Sequence, residues 1–296
     1  MEFSSIRSAL FVPGTRPDRV DKALATQADA VIIDLEDAVP PEKKVEAREV
    51  ARAKLEQHAR REIMVRANSL DSGQFELDLT ALRGLPLSCL FVPKVERGPQ
   101  VESIDQALRG LEEAAGLTPY SIGAMYLIES ALGVENAFAI AGHPVHGQRP
   151  AMLAFGAADY ANDLGMELSP QGDELYYPRH RVSNASHAAG LPGPLDSPFM
   201  RDLDDLAALE ADARRAKAVG FGGKLCIHPN QVPVCNRVFS PSERHIARAQ
   251  KIVAAFEETL TQGQGVLKVD GEFVDEPVVE SCRRLLRRAR LDSSAG

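Results

Sequence analysis

Eight short apolar runs recur along the chain, and this alternation limits the fold more than any other feature. They lie at 8–13, 30–36, 62–67, 89–95, 122–129, 151–156, 192–196 (weakly) and 223–228. Each is short enough for a strand, and most are followed by a charged residue and then by helical spacing. In 42–60, Val45, Val50 and Leu55 punctuate a charged stretch. In 202–219, Leu203, Leu206, Ala213 and Ala216 do the same, and Gly220 stands where a helix would stop. Continuous apolar strands alternating with helices predict a parallel sheet covered on both faces. Eight such units close a (β/α)₈ TIM barrel of class α/β, with a doubly wound open sheet as the alternative.

A length of 296 residues fits one such barrel. Apolar residues make up 44% and charged residues 26%, so a large core is feasible. The net charge of −8 argues against nucleic acid as a partner, which needs a basic footprint. No apolar run reaches the roughly 18 residues of a membrane span. Cys89, Cys226, Cys235 and Cys282 form no C-x-x-C pair and read as reduced, mostly buried thiols. A cytoplasmic location is expected.

The eight repeats do not use up the chain. Ser240, Pro241 and Glu243 read as a helix start with a capping box, and Ile246, Ala249, Ile252, Val253, Phe256 and Leu260 follow on one face. The Gly-rich stretch 261–265 ends that helix. A short irregular or hairpin segment is expected over 266–276, and a last amphipathic helix carries Val278, Cys282, Leu285, Leu286 and Ala289. We therefore expect a catalytic barrel over 1–262 and a C-terminal helical lid extension over 263–296, which needs a surface to bury its apolar face.

A barrel of this kind carries its active site at the C-terminal ends of the strands. Here those ends present Asp34, Glu36 and Asp37 after the second strand, Arg66 after the third, and Lys94 and Glu96 after the fourth. Glu129 follows the fifth, Asp159 the sixth and His228 the eighth. Any one carboxylate could simply cap the next helix. Together they would repel one another unless they paired or held a cation. Mg²⁺, or Mn²⁺, suits such a mouth, because it takes one or two protein carboxylates and fills the rest with water and substrate oxygens. Glu129 and Asp159, on adjacent strands, are the metal pair. Asp34, Glu36 and Asp37 are expected to hold coordinated waters, and Arg66 offers a two-pronged donor for a substrate carboxylate or carbonyl.

Other chemistries are absent from the pattern. GFGGK (220–224) precedes its strand, so it is no phosphate loop, and no G-x-S-x-G elbow occurs. His143 and His146 are too few for a zinc site.

The segments RSALFVPGTRPDRVDKA (7–23), IIDLEDAV (32–39), KKVEAR (43–48), VRAN (65–68), VPKVE (92–96), LIESALGV (127–134), FGAADYANDLG (155–165), CIHPNQ (226–231) and GEFVDEP (271–277) occur in this order. With them the chain resembles the citrate lyase β-subunit group of the HpcH/HpaI aldolase superfamily, which includes malyl-CoA and citramalyl-CoA lyases. The resemblance implies a TIM barrel, often a homotrimer, with Mg²⁺ on Glu129 and Asp159 and substrate bound by Arg66. It implies Asp275 as the catalytic acid–base group, reaching into a neighbouring subunit, and Arg16 near the CoA nucleotide. It further implies a small-molecule CoA or acyl-carrier thioester and a 2-oxo acid as ligands. Ala158, where many members carry Glu, and DSPF (196–199) depart from the pattern. The expected activity is Mg²⁺-dependent cleavage of a 3-hydroxy-acyl thioester such as citramalyl-, malyl- or citryl-CoA. The alternatives are a thioesterase built on the same metal site and a β subunit that needs an acyl-carrier partner.

Overall fold

The computed structural model describes residues 3–58, 63–261 and 265–294. They form two compact units, Met1–Val238 and Phe239–Gly296. In the first, β1 (Ser8–Pro13), β2 (Ala30–Asp34), β3 (Ile63–Arg66), β4 (Cys89–Val92), β5 (Gly123–Ile128), β6 (Ala151–Phe155), β7 (Leu195–Asp196) and β8 (Gly223–Cys226) make a closed parallel barrel. Between them run α1 (Pro17–Leu24), α2 (Lys44–Gln57), α3 (Phe75–Leu82), α4 (Gly98–Ala115), α5 (Ala131–Glu135), α6 (Ala137–Ala141), α7 (Ala157–Leu164), α8 (Tyr176–Ala188) and α9 (Leu206–Ala218), and α10 (Gln231–Phe239) follows β8. All eight expected strands are present, and β1 pairs with β8 to close the ring. Residue 62, the first of the expected third run, lies outside the described residues.

Alternate strand residues fill the barrel. Ala30 and Ile32, Met64, Cys89 and Phe91, Met125 and Leu127, Met152 and Ala154, Leu195 and Leu225 form one buried cluster, with Phe3 and Ile6 included. Side chains alternate with a period of two, so the next inward positions are Asp34, Arg66, Glu129 and Gly156. The register sets the site: each inward row of packed apolar groups ends in a residue facing the mouth.

Two helical readings differ in detail. Val45 is 64% exposed, and α2 instead buries Ala47, Arg48, Ala51, Lys54 and Leu55. That inward face includes two cations because partners exist: Arg48 Nε donates to Asp78 at 2.7 Å and Lys54 Nζ to Asp21 at 2.6 Å. Leu206 is also partly exposed, while Leu209, Ala213 and Ala216 of α9 are buried.

The second unit holds α11 (Glu243–Thr261), the antiparallel hairpin of β9 (Leu267–Val269) and β10 (Glu272–Val274), and α12 (Glu276–Ser294). Ser242 caps α11 instead of Ser240, with its hydroxyl accepting from the His245 N–H at 3.2 Å. Most of the Gly-rich stretch expected to end that helix, 262–264, lies outside the described residues. Ala249, Ile252 and Phe256 of α11 share a core with Val269, Val274, Val279 and Cys282. Helix α11 therefore groups with the tail, and the compact units divide after Val238 instead of after residue 262. Among the described residues, no helix is long and apolar enough to cross a membrane.

Candidate active site

Asp34 and Arg66 end neighbouring strands in direct register. The guanidinium grips the carboxylate at two points, Nε to Oδ1 at 2.7 Å and Nη2 to Oδ2 at 2.6 Å. Both groups are buried. The same carboxylate accepts the Glu36 N–H at 2.9 Å and the Ala38 N–H at 3.0 Å, which folds the loop back over the strand end. Asp34 is thus committed to holding Arg66 and the loop, where the sequence suggested a holder of metal-bound water. Nη1 of Arg66 reaches Glu36 Oε2 at 3.2 Å and Asp37 Oδ2 at 3.3 Å. The Phe11 ring covers the guanidinium carbon at 4.8 Å. Burial works against the Arg66 charge, but the hydrogen bonds and fields of Asp34, Glu36 and Asp37 outweigh it and raise its pKa.

Glu36 sits between two cations, with Lys94 Nζ 3.3 Å from its Oε1. Its Oε2 is buried and accepts no hydrogen bond despite the nearness of Arg66. Burial therefore dominates, and the carboxyl is pushed up to about 7.

Glu129 follows directly on β5, and Asp159 lies in the first turn of α7. Glu129 is buried, and its Oε1 accepts the Lys94 N–H at 2.9 Å. Burial, then the negative fields of Asp159 and Glu36, raise its pKa well above the usual carboxylate range. A buried carboxylate beside other carboxylates favours a cation. Gly156 leaves room for this carboxylate, since a Cβ there would stand 2.8 Å from Glu129 Oε2. Among the described residues no three His, Cys, Asp or Glu side chains form a cage. Carboxylate oxygens in such an open arrangement would suit Mg²⁺ rather than a structural metal.

Two hollows adjoin these groups. One, of about 320 Å³, is lined by Glu36, Asp37, Lys44, Asn68, Ser69 and Lys94. The other, of about 390 Å³, is lined by Phe11, Pro13, Arg16, Arg19, Lys22 and His228. Arg16 is exposed there and paired with Asp18 at 3.1 Å. His228 bonds Asn230 across a turn at 2.6 Å.

The structure brings Asp34, Glu36, Asp37, Arg66 and Glu129 into one linked set, with Asp159 felt electrostatically by Glu129. Asp275 belongs to the second unit, where Oδ1 accepts the Val278 N–H at 3.3 Å and so caps α12. His143 accepts from Val145, and His146 meets the Ile140 carbonyl, so both serve their own loop. The sequence missed the backbone of Lys94. Only its left-handed conformation, φ 55°, reveals that role.

The fold and this mouth define a parallel-barrel enzyme with an acidic, cation-ready centre beside a buried arginine. Residues 7–229 match the model of the HpcH/HpaI aldolase/citrate lyase family, and the chain belongs to that family. It is 38% identical to a citrate lyase subunit beta-like protein of Deinococcus radiodurans, over 95% of this chain and 96% of the relative. It is 33% identical to a (3S)-malyl-CoA thioesterase of Cereibacter sphaeroides, over 98% and 96%. The CitE protein of Mycobacterium tuberculosis, solved with magnesium, acetoacetate and coenzyme A, superposes with a TM-score of 0.77 at 30% identity, over 96% of this chain and 97% of that one.

Proposed function

We propose that the chain is a Mg²⁺-dependent carbon–carbon lyase that splits a 3-hydroxy-acyl-CoA thioester into an acetyl thioester and a 2-oxo acid. The observation that carries this is Glu129, buried at the mouth, raised in pKa by burial and then by the field of Asp159, and linked through Lys94 and Glu36 to Arg66. The magnesium and coenzyme A in the CitE complex support it. Glu129 and Asp159 would hold Mg²⁺, with Mn²⁺ as a substitute, and the bound cation supplies Lewis-acid polarisation of the substrate oxygens.

Arg66 serves the oxygen on which charge develops. Its Nε and Nη2 are held by Asp34, which fixes the guanidinium plane, and Nη1 is the donor that exchanges its contacts with Glu36 and Asp37 for the substrate oxygen. The substrate hydroxyl loses its proton to solvent and becomes the carbonyl of the 2-oxo acid as the C–C bond breaks, and the acid that later protonates the product takes its proton back from solvent. The bond's electron pair passes to the thioester as an enolate. Asp275 then protonates the enolate carbon and, in the reverse direction, removes that proton. Arg16, at the rim of the larger hollow, meets the CoA nucleotide. In this proposal, which follows the family resemblance, the tail acts on the site of a neighbouring subunit in a homotrimer with composite sites. The four buried cysteines, none in a disulfide, support a reducing, cytoplasmic setting.

Hydrolysis of the thioester at the same metal site is the second reading, favoured by the likeness to the malyl-CoA thioesterase. A β subunit dependent on an acyl carrier is the third, favoured by the citrate lyase subunit beta-like relative. Malyl-, citramalyl- and citryl-CoA offered separately to the purified chain with Mg²⁺ test the proposal. Turnover of one of them to a 2-oxo acid and acetyl-CoA without a partner protein supports it, and release of free CoA with intact hydroxy acid favours the second reading. Turnover only after an acyl-carrier protein is added overturns it in favour of the third reading.

A further inference from the structure

Lys94 is one of three non-glycine residues with positive φ among the described residues, and it adjoins Glu129. Such a conformation persists where the surroundings impose it. Here they do. The Val95 N–H donates to the Leu127 carbonyl at 3.3 Å, which ties the turn to β5. Glu96 accepts from the Ser130 hydroxyl at 2.6 Å, and its carbonyl accepts from Asn136 Nδ2 at 2.9 Å. Gln100 Oε1 receives the N–H groups of Glu96 and Arg97 at 2.7 and 2.9 Å. The result is that the Lys94 N–H points at Glu129 Oε1. On the far side of the carboxylate, a Cβ at residue 156 would stand 2.7 Å from Glu129 Cβ and 2.8 Å from Oε2.

We infer that Lys94, through its left-handed backbone, and Gly156, through its missing side chain, are positioning residues that fix the Glu129 carboxylate with Oε1 occupied and Oε2 free for the metal. The lysine side chain is secondary to this role. Its Nζ serves Glu36, and it is half exposed. The inference rests on the metal reading given above and names what makes that site competent.

The test is Mn²⁺ affinity of the full chain, measured by electron paramagnetic resonance, with thermal melting as the fold control. Lys94→Gly removes the side chain but adopts positive φ freely, so it should bind Mn²⁺ within about threefold of wild type. Lys94→Val resists that backbone and should bind roughly 10–100-fold more weakly, the usual loss when an outer partner of a ligand is removed. Gly156→Ala should lose a similar factor. A purely structural role would lower the melting temperature and leave Mn²⁺ affinity alone. If Lys94→Gly binds as poorly as Lys94→Val, or if Gly156→Ala binds like wild type, the inference is overturned. Wild-type protein that binds no Mn²⁺ overturns the metal reading itself.

Discussion

Arg66 spends two of its three nitrogens on Asp34, its registered neighbour in the barrel, so the guanidinium meets the mouth already oriented. The energy of that grip goes into direction. A lysine at 66 would keep the charge but lose the planar fork that Asp34 holds. Arg66→Lys should therefore lower kcat/KM by roughly 30–1,000-fold, about 2–4 kcal/mol of transition-state stabilisation, the range for one strong oxyanion donor. Steady-state kinetics check this. A variant within twofold of wild type would show Arg66 to be structural.

Glu36 should make the metal-free protein less stable as pH rises. Its folded pKa, about 7, lies above the ordinary value of 4.5. Its contribution is complete below about pH 4.5 and is lost as pH climbs through 7. Between pH 5 and pH 8 the loss should be about 2–3 kcal/mol. Glu36→Gln cannot ionise and should escape that loss. Urea denaturation in EDTA at both pH values measures the difference. A variant that gains nothing on wild type at pH 8 would place Glu36 in a well-solvated or well-paired setting.

Much of this was legible in the sequence because apolar runs and charged strand ends are local signals. The mouth positions of Asp34, Arg66 and Glu129 follow from a period of two, counted outward from Ile32, Met64 and Leu127. What was hidden depends on contacts between distant segments. Lys224 looks like a strand-end charge but is fully buried, 2.6 Å from Asp212 and bonded to Asp196, which Arg179 also holds. Asp34 looks like a metal-water carboxylate, yet its partner 32 residues away claims it. β7 is faint because only Leu195 and Asp196 are extended. The grouping of α11 with the tail depends on a core shared with Val269 and Val279, which helical spacing cannot report.

Asp275 caps α12 by one long hydrogen bond, and the proposal gives it a second role in a neighbouring site. Asp275→Ala and Glu129→Ala should each be inactive alone. Mixed and allowed to exchange subunits, they should regain activity, because some sites then combine an intact Glu129 with an intact Asp275. Activity after mixing, with exchange followed by a mass tag, measures this. No recovery despite full exchange would exclude action between subunits.

The central claim is that this mouth breaks a carbon–carbon bond under metal control. Product balance tests it most directly, using whichever CoA ester the purified chain consumes, with Mg²⁺ and again in EDTA. The account predicts one 2-oxo acid and one acetyl-CoA per ester consumed with Mg²⁺, and no turnover in EDTA. Free CoA with intact hydroxy acid, or undiminished turnover in EDTA, would contradict it.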